Sequence, residues 1–118
     1  MKHIVFLIAV AITLFGITAT AQTADKGTVT EKIEVAGNCG MCKERIENAA
    51  YGKGVKHAEW DKTTGILTIT YRADKTTREA ITKRIAGAGH DIPDQPADKA
   101  AYENLPPCCS YKTNPDRH

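Results

Sequence analysis

Serine is almost missing from this chain of 118 residues: Ser110 is the single one, and no nucleophile-elbow context surrounds it. A serine hydrolase of that type is therefore excluded. No glycine-rich loop of the phosphate-cradling kind occurs, and no pair of carboxylates sits in an apolar frame, so nucleotide binding and carboxylate acid–base chemistry have no carrier here. Charge of one sign is lacking as well. The formal net charge is +2, and no Lys/Arg cluster interleaved with aromatics appears, which removes a nucleic-acid surface from consideration. Carboxylates are not gathered as Ca(II) or Mg(II) would require. On this reading the chain is not an enzyme.

Long apolar runs are also scarce. The one present, Ile4 to Ile17, follows Lys2 and His3 and precedes Ala19-Thr20-Ala21, a small-x-small cleavage pattern. It falls short of the ~20 residues of a spanning helix. Residues 1–21 are thus expected to be a signal peptide, leaving a mature chain from Gln22 that is periplasmic or extracellular and has no stable membrane span. Residues 22–27 read as a flexible lead-in, 28–92 as one domain, and 93–118 as a C-terminal extension.

Alternation from Thr28 to Val35 predicts a half-buried strand, with Val29, Ile33 and Val35 on one face and Glu31 as a misfit among them. After Ala36-Gly37-Asn38 the period becomes helical, from Gly40 or Met41 to about Ala50. Val55 to Trp60 and Ile66 to Tyr71 read as antiparallel neighbours joined by a hairpin ending in Gly65. Thr76-Thr77-Arg78-Glu79 has the form of a capping box before a second helix that stops at Gly87-Ala88-Gly89. A short helix is expected over Ala97 to Leu105, then Pro106-Pro107, Cys108-Cys109 and a frayed polar end from Ser110 to His118.

Cysteine carries the chemistry. Cys39 and Cys42 form a Cys-x-x-Cys pair where the first helix should begin, and the free N–H groups and positive dipole end of a helix favour thiolate over thiol. Thiolates are soft ligands suited to Cu(I), Hg(II), Zn(II) and Cd(II), and two alone make a low-coordinate site that best fits Cu(I) or Hg(II). If Cys108 and Cys109 fold back, four sulfurs could close a tetrahedral site with metal–sulfur distances of ~2.3 Å. Two other readings of the same cysteines stay open: a thiol–disulfide exchange protein using Cys39-x-x-Cys42, and a small disulfide-stapled interaction domain. His57 reads as a strand residue facing solvent or packed, His3 leaves with the signal, and His118 is terminal. Trp60, Tyr71 and the Ile81/Ile85 stripe read as core.

The order strand, Gly-x-Cys-x-x-Cys loop, helix, strand, Asp-x-x-x-Gly hairpin, strand, helix, Ala-Gly-His resembles the heavy-metal-associated (HMA) domain family, over about Val29 to Asp91. The resemblance implies an α+β fold, a ferredoxin-like βαββαβ sandwich, whose exposed Cys39 and Cys42 capture a soft ion and hand it to a partner, a membrane metal transporter or a Cys-rich carrier. It places His90 near the metal loop, as a candidate third ligand. The family's usual Met two residues before the first Cys is here Gly37, with Met41 between the thiols instead. The fourth strand is hard to find, because Pro93 and Pro96 fall in its place.

Overall fold

The computed structural model describes residues 27–116. The expected signal peptide, most of the lead-in, His3 and His118 lie outside them. Strand β1 (Thr28–Glu34) is followed by helix α1 (Gly40–Ala50), strands β2 (Val55–Trp60) and β3 (Ile66–Arg72), helix α2 (Arg78–Gly87), the short helix α3 (Lys99–Glu103) and a 3-10 turn at Pro107–Cys109. The strands pair antiparallel in the order β1-β3-β2, with Glu34 opposite Ile66 and Trp60 opposite Leu67.

β3 holds the centre because its alternation is the cleanest: Leu67, Ile69 and Tyr71 point inward and are buried. On β2 the pattern alone left the inner face ambiguous. The structure turns Ala58 and Trp60 into the core and leaves His57 exposed beside Glu59, at 3.5 Å. The misfit Glu31 has a partner: it accepts a hydrogen bond from the Tyr71 hydroxyl at 3.0 Å, which removes the penalty of an unpaired carboxylate on the apolar side. Ile46 of α1 and Ile81 and Ile85 of α2 close the other side of the same apolar cluster.

Three expectations need correcting. The fourth strand does not form among the described residues; Ile92 and Gln95 make only an isolated bridge. Pro93 and Pro96 bring no N–H to a ladder. What survives of that pairing is one bond from the Ala36 N–H to the Asp91 carbonyl, 2.9 Å. Side chains hold the segment instead, with Thr82 Oγ1 2.8 Å from Gln95 Oε1 and Asp91 Oδ1 accepting from the Ala97 N–H at 2.7 Å. The second correction concerns the start of α2. Its cap is Thr77, not Thr76, with Oγ1 accepting from the Ala80 N–H at 3.1 Å, so Glu79 does not close the predicted box.

α1 and α2 are tied end to side. Arg84 of α2 donates from Nε to the Ala49 carbonyl at 3.1 Å and from Nη2 to the Ala50 carbonyl at 2.8 Å, satisfying carbonyls that the end of α1 would otherwise leave open.

The tail is ordered rather than frayed over 110–114. Tyr111 is buried, its hydroxyl donating to the Gly89 carbonyl at 2.8 Å and accepting from the Asp91 N–H at 3.0 Å. Gly89 has φ 103°, and a Cβ there would stand 2.9 Å from the Ala101 carbonyl, so only glycine lets α3 come this close. Among the described residues no helix is long and apolar enough to cross a membrane.

Candidate metal centre

The loop that carries Cys39 is fixed from below by an aromatic ring. A Cβ on Gly37 would meet Trp60 Cζ2 at 3.0 Å and Cys42 Cβ at 3.1 Å. The ring of Trp60 therefore lies under the position where the resembled family has its Met, and Nε1 ties that ring to the Val35 carbonyl at 3.1 Å. Asn38, fully buried, reaches both ways: Nδ2 donates to the Asn114 carbonyl at 2.7 Å, and Oδ1 accepts the Cys42 thiol at 3.3 Å. Sequence reasoning passed over Asn38 as a loop residue. A lone Asn between Gly and Cys gives no signal of that double role.

Cys39 is the N-cap residue of α1, with extended backbone angles (φ −148°, ψ 174°), and its side chain makes no cap hydrogen bond. Its sulfur is free to face the helix N-terminus. Cys42 sits in the first turn, fully buried.

The 3-10 turn brings the tail cysteines onto this pair. Cys39 Sγ lies 3.4 Å from Cys42 Sγ and 3.4 Å from Cys109 Sγ, and Cys109 Sγ lies 3.9 Å from Cys108 Sγ. All four are free thiols, and the sulfurs of Cys39, Cys108 and Cys109 lie within 4.8 Å of one another. Sulfurs sharing one ion at ~2.3 Å stand roughly 3.8 Å apart in a tetrahedron, and the contacts of Cys39 with Cys42 and Cys109, 3.4 Å each, are near that spacing.

His90, the remaining candidate, is outside this group. It is fully buried, stacked on Tyr111 at 5.7 Å between centroids, and Nδ1 donates to the Ala36 carbonyl at 2.8 Å. That bond fixes the tautomer and leaves Nε2 as a buried lone pair without a partner. Burial holds its pKa below the usual histidine value, so the ring is neutral.

The thiols differ in acidity. Burial pushes Cys39 up, but the facing N–H groups of Cys42 and Met41 and the Cys109 thiol outweigh it and bring Cys39 down to about 7. Burial pushes Cys42 up despite the loop hydrogen bonds that oppose it. Cys109 is pushed up by burial and by its contacts with Cys42 and Cys39. Cys39 is thus the thiol that begins to ionise near neutral pH. In a pH titration of the reduced chain, followed by thiolate ultraviolet absorbance, one thiol should ionise near pH 7, and Cys39→Ser should abolish that step. The sign for metal capture follows: below about pH 7 the proton competes for Cys39, so affinity falls as pH falls. A first ionisation that survives Cys39→Ser would contradict this assignment.

A three-stranded antiparallel sheet with helices against it, and thiols where the loop enters the first helix, define the class: a small α+β domain with a cysteine cluster at the start of its first helix. Two solved structures share this fold. One is the CopZ metallochaperone, similar over 54% of this chain and 98% of that one, with 27% identity and a TM-score of 0.52. The other, a solution structure from Bacillus anthracis str. Ames named for copper-ion binding, is similar over 57% of this chain and 97% of that one, with a TM-score of 0.54; at 23% identity the likeness is one of fold. No family model and no curated protein matches the chain.

Proposed function

We propose that the chain is an exported carrier of the heavy-metal-associated type, which captures a soft ion with the Cys39 and Cys42 thiolates, backed by Cys109, and passes it to a partner without catalysing a reaction. The observation that carries this is the packing of four free thiols at the N-terminus of α1, where Cys39 is brought down to about 7. The likeness to the CopZ metallochaperone supports metal carriage, and a low-coordinate thiolate site makes Cu(I) the first candidate cargo, with Hg(II) next and Zn(II) or Cd(II) behind them. Binding replaces thiol protons by the ion. Release proceeds by exchange, as a partner's thiolate adds to the ion and one of this chain's sulfurs leaves. The partner is a membrane metal transporter or a Cys-rich carrier. Export rests on the sequence of residues 1–21.

The acidity of Cys39 beside Cys42 also favours a second reading, a dithiol exchanging with protein disulfides. Metal analysis of the reduced protein against a Cys39→Ser, Cys42→Ser double variant separates the two. The wild type should retain Cu(I) against a chromophoric chelator while the variant loses it by at least about a hundredfold in affinity, roughly 2.8 kcal/mol. Equal retention would sink the metal reading. Disulfide exchange that depends on Cys39 would promote the alternative.

A further inference from the structure

Five sulfurs, not four, meet at the start of α1. Cys108 Sγ lies 3.3 Å from the thioether of Met41, so the sulfurs run in an unbroken row from Cys42 through Cys39, Cys109 and Cys108 to Met41, with successive spacings of 3.4, 3.4, 3.9 and 3.3 Å. The first three belong to buried residues. Cys108 is partly exposed and Met41 is 50% exposed. A soft monovalent ion is satisfied by two or three sulfur ligands, so this row holds more donors than one such ion uses. Cys109 stands in the middle, its sulfur touching an inner thiol on one side and an outer thiol on the other.

We propose a second, outer Cu(I) position formed by Cys108 Sγ and Met41 Sδ, sharing the Cys109 thiolate with an inner ion on Cys39 and Cys42. This rests on the metal-carrier reading above and deepens it. The balance closes as two Cu(I) enter on four thiolates, each thiol still protonated giving up its proton to solvent, while the Met41 thioether donates a lone pair without losing a proton. The outer ligand set is entirely soft and includes a neutral thioether, which selects Cu(I) over Zn(II). The outer position is also where an arriving ion first meets sulfur, since the inner thiols are covered. A plainer account makes Met41 an apolar lid over Cys108. Leucine would serve that role equally, so Met41→Leu distinguishes the two: it keeps the volume and removes the donor.

The test is an anaerobic titration of the reduced chain with Cu(I) against a chromophoric chelator, with metal-to-protein ratios read after desalting and copper–copper scattering sought by X-ray absorption. Two Cu(I) per chain are expected for the wild type and one for Cys108→Ala. Met41→Leu should weaken the second ion by at least about tenfold while leaving the first within twofold. Saturation of the wild type at one Cu(I), or a second ion indifferent to Met41→Leu, would overturn the outer position and leave the carrier reading standing. A wild type that retains no Cu(I) would overturn both. Both substituted side chains reach solvent, so unchanged circular dichroism is expected and confirms that stoichiometry, not folding, has been measured.

Discussion

Truncating Trp60 to alanine is expected to lower the folding free energy by about 3–5 kcal/mol, the range for removing a large core aromatic. The ring is almost fully buried, donates to the Val35 carbonyl and packs under Gly37. Its backbone is clasped from α1 as well: the Trp60 N–H donates to Glu47 Oε2 at 2.9 Å, and Lys43 Nζ, paired with Glu47, donates to the Trp60 carbonyl at 3.0 Å. Loss of the ring leaves a cavity beneath the metal loop and a Val35 carbonyl without its donor, so the cost joins a packing term and an unsatisfied-acceptor term. Against the 5–15 kcal/mol of a typical domain this is a large share. Urea unfolding of the reduced, metal-free chain followed by circular dichroism measures it; fluorescence cannot, because Trp60 is the only tryptophan. A loss under about 1 kcal/mol would show that the ring is not what anchors the loop.

The same residue shows how far the sequence reaches. Trp60 reads as core from its size, and the departure at Gly37 reads as a missing anchor, but their connection does not appear in any local pattern. Val35 and Trp60 are far apart in sequence, and only the antiparallel pairing of β1 and β2 on β3 brings them together. Strands, helices and hairpin were legible because each rests on period and on glycine or cap signals within a few residues. The second helix was placed one residue early at its cap because two threonines compete there, and both offer the same hydroxyl.

The site divides along the same line. Cys39 and Cys42 announce themselves by spacing at a strand-to-helix junction. Cys108 and Cys109 could be singled out, yet whether they return to that junction depends on α3, the Gly89 contact and Tyr111, long-range features with no periodic signature. Met41 reads as a displaced anchor, and its nearness to Cys108 is visible only once the tail is docked. For His90, position after the second helix points toward the metal loop, whereas its hydrogen bond to the Ala36 carbonyl and stacking on Tyr111 make it part of what holds the tail.

If the tail is held in this way, Tyr111→Ala should detach it while leaving the domain folded. Tyr111 is buried against His90 and Tyr102, with ring centroids 5.7 and 5.0 Å away, and its hydroxyl alone links Gly89 and Asp91. Removing the ring costs several kcal/mol locally, because the aromatic contact, the apolar burial and both hydrogen bonds go together. The other anchors of this segment, among them the Asn38 bond to the Asn114 carbonyl and the Asp98 N–H bond to the Ala86 carbonyl, also join tail to domain, so this loss falls on the docking equilibrium of the tail rather than on the sheet. Alkylation of the reduced chain, mapped by mass spectrometry, reads that equilibrium site by site. Cys109, buried in the wild type, should react about a hundredfold faster in Tyr111→Ala, the factor that corresponds to roughly 2.8 kcal/mol, while Cys42 in the first turn of α1 keeps its protection. Cu(I) affinity should fall by at least about tenfold in the same variant, since the inner ion loses Cys109 and returns to two thiolates. Equal acceleration at Cys42 and Cys109 would mean global unfolding and no separate tail equilibrium. Unchanged protection of Cys109 would show that the tail is docked by something other than Tyr111.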